Sequence, residues 1–407
     1  VSAFTPEQLP QPPHTSAAEA AALQGVTAAA GFRAAGVTAG LKASGKPDLA
    51  VVVNDGPAQA AAAVFTANRV AAAPVHWSRE VVKDGRVDAV ILNSGGANAC
   101  TGPEGFQDTH RTAEEVAAQL GLSATDVVVC STGLIGERLP MDKLLGGATQ
   151  AISVLSEDGG PDAAASIMTT DTVPKQAVRT GSGYTLGGMA KGAGMLAPAL
   201  ATMLVVITTD AALNPGQLDV ALRAATGVSF DRADSDGCMS TNDTVVLMAS
   251  GASGVTPDQA EFTELLAGLC TDLALQLLAD AEGASHDIAI NTINAASVED
   301  ALEVSKSVAR SNLFKTAIFG NDPNWGRVLS AVGTTQAAFE AQDLNVAING
   351  VQVCRRGGVG EDRSLVDLAS SRDVLVTIDL GAGSSQATIW TNDLTHDYVE
   401  ENSAYSS

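Results

Sequence analysis

The chain has 407 residues, a net charge of −23 and a sequence pI near 4.4, with 45 % apolar residues but only 4 % aromatics. Clustered lysine and arginine are what phosphate backbones and anionic bilayers demand, and no basic run of five exists, so nucleic acid and membrane surfaces are excluded as partners. Five widely spaced cysteines, an odd number without any C-x-x-C, argue against a zinc site and for free thiols in a reducing cytoplasm. The segment Val1–Gln24 carries prolines and acids but no apolar core, and is expected to be a loose tail rather than a secretory signal. After it, short apolar runs at Leu49–Val53, Val87–Leu92 and Val127–Cys130 read as strands, the last two ending in the small polar loops Asn93-Ser-Gly-Gly96 and Ser131-Thr-Gly133. Helices are expected at Thr112–Leu120 and Met141–Leu155, and Asp158-Gly-Gly-Pro-Asp162 as a surface turn. A long amphipathic helix is expected over Thr256–Asp280 with Pro257 in its first turn, and another from Ser297, with Asp300 completing an N-cap arrangement. Leu344–Ile348 followed by Asn349-Gly350 signals a hairpin. Val374, Val376, Ile378 and Leu380 alternate before Gly381-Ala-Gly383 turns the chain into Ala387–Trp390. Strand, loop and helix in repetition is α/β logic, with function carried on loops at strand ends.

The chemistry concentrates between Met189 and Asp210, where Lys191 stands in a glycine-rich loop ahead of Thr202 and a β-branched strand, Met203–Ile207, follows at once. A threonine at the mouth of a buried strand can cut the chain in front of itself. Its freed α-amine, titrating near ~8 where a lysine amine titrates near ~10, then serves as a built-in general base. Gly192 to Thr209 is uncharged, but Pro198, its glycines and its threonines leave an apolar core far short of the ~20 residues of a membrane span. Gly192-Ala-Gly194-Met-Leu-Ala197 matches the loose dinucleotide pattern, yet Pro198 and a strand stand where that pattern needs a helix.

Ten motifs occur in order along the chain. They are Gly31-Phe-Arg-Ala-Ala-Gly-Val-Thr-Ala-Gly-Leu-Lys-Ala-Ser-Gly45, Val64-Phe-Thr-Ala-Asn-Arg-Val70, Asn93-Ser-Gly-Gly-Ala-Asn-Ala-Cys-Thr-Gly102, Cys130-Ser-Thr-Gly-Leu-Ile-Gly136 and Met168-Thr-Thr-Asp-Thr172, then Lys191-Gly-Ala-Gly-Met-Leu-Ala-Pro-Ala-Leu-Ala-Thr202, Ser240-Thr-Asn-Asp-Thr244, Asp280-Ala-Glu-Gly283, Phe319-Gly-Asn-Asp-Pro-Asn-Trp-Gly-Arg327 and Tyr398-Val-Glu-Glu-Asn-Ser-Ala-Tyr-Ser-Ser407. Together they resemble the bacterial ornithine acetyltransferases of arginine biosynthesis, also called glutamate N-acetyltransferases. The resemblance implies a layered α/β self-processing domain with a Thr nucleophile, residues 26–285, followed by a smaller C-terminal α+β unit, 286–407, whose end returns to the active site; residues 1–25 would be the tail. It implies cleavage between Ala201 and Thr202, giving an α chain of 1–201 and a β chain of 202–407 that pair as an α2β2 heterotetramer in the cytoplasm. Acetyl would move from N2-acetyl-L-ornithine to Thr202 and then to L-glutamate. No metal or organic cofactor is implied, and acetyl-CoA would be a substrate only of a bifunctional form.

On this reading Thr202 is nucleophile and, through its amine, base. Thr132 and Gly133, a hydroxyl and a backbone N–H on one strand-end loop, form the oxyanion pair, each donor worth on the order of 3 kcal/mol in the transition state. Their alternative is an ordinary strand-to-helix turn. Lys191 contacts the substrate carboxylate or depresses the Thr202 amine, or is a solvated loop lysine. Glu282, otherwise a surface carboxylate, suits the cationic side chain of ornithine. Thr169, with Thr170 as the nearby alternative, and Asn402 and Ser407 match substrate contacts of the family. Asp322, Asn324, Trp325 and Arg327 read as a structural loop near the pocket, as does Ser240-Thr-Asn-Asp243, and His286 one turn after Glu282 is a weak metal signal. Two rivals remain: a self-cleaving amidase or aminopeptidase, in which water discharges the acyl-enzyme, and a non-enzymatic binding protein on the same scaffold.

Overall fold

Alanine, valine, leucine and isoleucine supply nearly all of the buried apolar surface, so sheets can stack closely and alternate residues of one strand can serve two different cores. The computed structural model describes residues 23–197 and 203–404. The chain divides into two compact units: of the described residues, one holds 23–197, 203–231 and 238–280, and the other 232–237 and 281–404.

The first unit is built on nine strands, β1 (Phe32–Val37), β2 (Leu49–Asn54), β3 (Ala60–Phe65), β4 (Ala89–Asn93), β5 (Val127–Ser131), β6 (Lys175–Thr180), β7 (Thr185–Lys191), β8 (Leu204–Thr209) and β9 (Thr244–Ala249), and six helices, α1 (Ala73–Val81), α2 (Gly102–Leu120), α3 (Met141–Ser153), α4 (Gly160–Ser166), α5 (Pro215–Val228) and α6 (Gln259–Ala279). They form a four-stranded sheet in the order β1-β2-β4-β5 and a five-stranded sheet in the order β3-β9-β8-β7-β6. Val52, Val90 and Val128 of the first sheet meet Met189, Val206 and Val246 of the second in one core. Their neighbours Val51, Ile91 and Val129 face the other way, onto Val116 of α2 and Leu144 of α3. α5 and α6 cover the far face of the second sheet, with Leu269 and Leu273 of α6 lying over Gly188. The result is a helix–sheet–sheet–helix sandwich, the layered α/β architecture expected.

Each outer strand of these sheets has its free edge engaged, which removes the hazard of unpaired ladders. Ser156 exchanges two backbone hydrogen bonds with Ala34 of β1, and the Ala61 N–H of β3 donates to Gly85 O. The Gln276 side chain of α6 accepts from Gln176 N and donates to Gln176 O of β6. On β5, Trp77 Nε1 donates to Val127 O, while Ser78 Oγ both donates to Val129 O and accepts from its N–H.

The second unit carries β10 (Asp287–Ala295), β11 (Asn345–Ile348), β12 (Val351–Arg355), β13 (Gly358–Val359), β14 (Asp373–Asp379) and β15 (Ser385–Asn392), with α7 (Val298–Ala309), α8 (Asn312–Phe319), α9 (Trp325–Val332) and α10 (His396–Ala404). Its six-stranded sheet runs β13-β12-β11-β14-β10-β15, and its core joins Ile290, Val376 and Ile389 to Val304, Phe314 and Val328 on the helices.

Several expectations change at the ends of elements. α2 begins at Gly102, ten residues before its apolar periodicity starts, because Pro103 fits the first helical turn. The expected turn at Asp158–Asp162 is instead the entry to α4, with Pro161 in its first turn. α6 is capped by Asp258, which leaves Pro257 outside the helix. Ser297 accepts from Asp300 N as the expected cap of α7, and Asn349-Gly350 joins the β11–β12 hairpin. Replacing Ser78 by Ala strands two buried backbone groups of β5; the expected loss is about 3 kcal/mol, read as a lowered urea midpoint.

Candidate functional site

The site begins with two strand-end loops that close on each other. Thr132 N donates to Asn93 O at 2.9 Å, and Gly96 N returns a bond to Thr132 O at 3.0 Å. Gly133, at φ +132°, lies so close that a Cβ there would stand 2.7 Å from Gly96 N, so only glycine fits this contact. Its N–H donates to no atom among the described residues.

Lys191 ends β7 and pairs in register with Leu204, the first residue of β8 and two residues beyond Thr202. Its side chain is 1 % exposed and reaches from the second sheet to the first, where Nζ donates to Thr132 Oγ1 at 3.2 Å. The structure thus gathers Lys191, Thr132 and Gly133 at the strand ends, and it excludes the solvated-lysine alternative. Ala201, Thr202 and Ser407 lie outside the described residues.

Below Lys191 lies an ion cluster that sequence reasoning missed. Lys175, fully buried, contacts Asp171 Oδ1 and Asp280 Oδ2, both at 2.5 Å. Asp171 Oδ1 also accepts from Gly192 N at 2.7 Å, and its Oδ2 from Thr169 N at 2.8 Å. One carboxylate therefore fixes both the turn after Lys191 and the Thr169 loop. Burial alone would push the Asp171 carboxyl up; the Lys175 and Lys191 ammonium groups beside it hold it well below the usual carboxylate range. Asp280 closes the cluster by accepting from Thr172 N at 2.9 Å and from the Thr172 hydroxyl. Asp171 and Asp280 both stood in quoted motifs, and Lys175 four residues after Asp171 was the available signal.

Lys42, from the first motif, also reaches this region: Nζ donates to Met168 O at 2.6 Å and Pro47 O at 2.9 Å. Burial, opposed by Asp48 and reinforced by the Lys191 charge, brings its ammonium down to about 8.

Glu282 and Asn402 belong to the other unit, where Asn402 Nδ2 donates to Glu282 Oε2 at 3.0 Å. Gly283 lets α10 seat tightly, since a Cβ there would stand 2.1 Å from Tyr398 N. Thr395 Oγ1 donates to Gly283 O at 2.5 Å. Glu282 lines a cavity of ≈ 160 Å³ with Asp236, Arg310, Asn312, Lys315 and Tyr398. Burial pushes the Lys315 ammonium down, and it donates to Ser235 O. His286 does not pair with Glu282: Nδ1 contacts Asp393 Oδ2 at 2.8 Å and Nε2 contacts Leu368 O at 3.1 Å, so the weak metal signal is a packed histidine. Asn324 caps α9 and donates to Asp322, while Arg327 Nη1 donates to Leu313 O and Asp322 pairs with Arg363. One helix among the described residues, α6, is long and apolar enough to cross a membrane, and it packs on α5, β6 and β7.

The family model described as ArgJ matches residues 33–407. The arginine biosynthesis bifunctional protein ArgJ of Thermobifida fusca is 66 % identical over 382 residues, 94 % of this chain and 100 % of that protein. The ArgJ of Mycobacterium leprae is 58 % identical over 392 residues, 94 % of this chain and 96 % of its own. A crystal structure of ornithine acetyltransferase complexed with ornithine, from Mycobacterium tuberculosis, is 60 % identical, covering 44 % of this chain and 96 % of that one at a TM-score of 0.43.

Replacing Lys175 by Met leaves two carboxylates buried without their shared cation; the expected cost is about 3–5 kcal/mol of unfolding free energy. The depressed Asp171 carboxyl stabilises the fold fully above its unfolded value of ~3.9, and that stability is lost as pH falls through the lower folded value. The fall in Tm of the parent on acidification below pH ~4 is accordingly expected to be shallower in K175M, measured by calorimetry across that range.

Proposed function

The chain belongs to the ArgJ family, and from that premise we propose that it transfers acetyl from N2-acetyl-L-ornithine to L-glutamate through an acetylated Thr202. It is an acyltransferase of arginine biosynthesis. The observation that carries the detailed reading is the buried Lys191 Nζ–Thr132 Oγ1 contact of 3.2 Å. It puts a lysine against an oxyanion donor at the end of the ladder that leads back to Thr202.

Self-cleavage begins when Thr202 Oγ attacks the Ala201 carbonyl carbon. The Ala201–Thr202 C–N bond breaks, the nitrogen takes the hydroxyl proton, and water hydrolyses the resulting ester to a carboxylate and a free Thr202. In turnover, the Thr202 amine takes the Oγ proton as Oγ attacks the acetyl carbon of N2-acetylornithine. The tetrahedral oxyanion is met by the Thr132 hydroxyl and the Gly133 N–H. Because Thr132 Oγ1 accepts from Lys191, its own proton is free to point at that oxygen. Breakdown returns the proton to the departing amine and releases ornithine. Glutamate's neutral amine then attacks the acetyl-threonine, its surplus proton passes to the leaving Oγ, and N-acetylglutamate departs.

Glu282, held by Asn402, offers a carboxylate to the ornithine side chain. Thr169, Lys191 and Ser407 complete the substrate contacts in this reading. The α fragment 1–201 and β fragment 202–407 assemble as α2β2 in the cytoplasm, and no metal or organic cofactor takes part; acetyl-CoA is a second acetyl donor if the chain shares the bifunctionality named for its relatives.

Intact-mass measurement tests the scheme directly. The parent is expected as two fragments split between Ala201 and Thr202, the β fragment gaining one acetyl, ~42 Da, on incubation with N2-acetylornithine. Thr202→Ala is expected to stay one chain and to be inactive; a processed, active T202A protein would sink the mechanism. Thr132→Ala is expected to lower kcat by about 10²–10³, the effect of removing one oxyanion donor, in a steady-state assay of ornithine release.

A further inference from the structure

The segment Ser240–Asp243, which reads from sequence as a structural loop, touches both halves of the proposed machinery. Asn242, buried, donates through Nδ2 to Ala97 O at 2.6 Å and to Ser131 O at 2.8 Å. These acceptors lie on the two strand-end loops that present Thr132 and Gly133. Its Oδ1 accepts from Thr241 Oγ1 at 2.5 Å, so the amide is committed to protein partners.

The next residue faces the other strand. Asp243 is fully buried, and its Oδ1 accepts from Met203 N at 3.0 Å. Met203 is covalently the residue after Thr202. Thr244 N donates to Met203 O at 3.2 Å, and Thr66 N donates to Asp243 O at 2.9 Å. Both peptide groups of Met203 are thereby fixed at the mouth of β8, with the Asp243 carboxyl serving Met203 as a ladder partner.

We propose that Asn242 and Asp243 are positioning residues that set the spacing between the oxyanion donors and the nucleophile, Asn242 holding the oxyanion loops and Asp243 holding the residue that follows Thr202. The proposal rests on the reading of Thr202, Thr132 and Gly133 given above. Because the two residues are consecutive, one rigid peptide unit joins the two sheets where the reacting atoms must meet at ~3–3.5 Å, and a misplacement of ~1 Å there costs on the order of 100-fold in rate. The Asp243 carboxyl is held toward its protonated form by burial, with the Met203 N–H and Lys191 acting against this. Its Oδ2 has no hydrogen-bond partner among the described residues. A neutral acid offers one carbonyl acceptor to Met203, as an asparagine would.

The test uses the full chain, with N2-acetyl-L-ornithine and L-glutamate as substrates, self-cleavage followed by intact mass and folding by circular dichroism. Asn242→Ala and Asp243→Ala are each expected to lower kcat by about 100-fold with KM for N2-acetylornithine changed less than about threefold, and to slow self-cleavage in parallel. Asp243→Asn is expected to keep kcat within about threefold of the parent, with the same pH profile, because it keeps the acceptor for the Met203 N–H. Alanine variants as fast as the parent overturn the proposal. So does a D243N protein as slow as D243A, which would assign the role to an ionised carboxylate. If an alanine variant does not fold, Asn242→Gln and D243N decide, the first expected slow and the second near-parental, and the reverse order overturns the proposal. A parent that splits and acetylates beside parent-like variants refutes the positioning role alone; a parent that does neither refutes the Thr202 reading, and the proposal with it.

Discussion

Two lysines buried at the ends of neighbouring strands constrain the first unit more than any apolar contact does. Removing an ammonium group from water costs several kcal/mol even after relaxation, so Lys175 and Lys191 can sit inside only if the surrounding chain is arranged for them. The chain has twice as many acids as bases, 46 against 23, yet the described ion pairs of Lys175 use only Asp171 and Asp280. Those two carboxylates are then shared with backbone N–H groups of residues 169, 172 and 192. Charge neutralisation and loop placement are thus one problem with one solution. The Thr169 loop and the turn after Lys191 are where they are because the carboxylates that offset buried charge also accept their N–H bonds.

The apolar architecture makes this arrangement possible. Two sheets of small, branched side chains stack face to face, so a lysine at the end of β7 can reach the loop after β5. Larger aromatic residues between the sheets would hold them further apart. At the same end, Gly133 and Gly96 come closer than any Cβ would allow. Small residues in the core and glycines at the rim act together: the first bring the strand ends near, and the second let their loops interlock.

What could be read in the sequence follows the range of the interactions involved. β2, β5, α3 and α7 were legible because their apolar period or cap is local, as Ser297 with Asp300 illustrates. The Thr132–Gly133 loop and Lys191 are legible through the family motifs that carry them. The ion cluster was not, because Lys175 and Asp280 are 105 residues apart and no local pattern links them. Asp158–Asp162 was misread because glycine and proline mark a turn and a helix start equally well, and only the packing of α4 beneath β1 selects between the two. Asn242 and Asp243 read from sequence as part of a structural loop, since their partners at 97, 131 and 203 lie in three other segments.

The contrast between Asp171 and Asp243 shows how one site gives the same side chain two functions. Both are buried, and both feel Lys191. Asp171 has a second lysine in contact and two backbone N–H donors, so its charged form is favoured and it works as a counter-ion. Asp243 has no cation among its described hydrogen-bond partners, and burial prevails over the Met203 N–H, the more distant lysine and the Ser240 and Thr66 side chains. Lys191 donates to the Thr132 hydroxyl, while Asp243 accepts from the N–H of the residue after Thr202. Within one site, burial drives the Asp243 carboxyl toward its protonated form while the two lysines drive Asp171 toward its charged form.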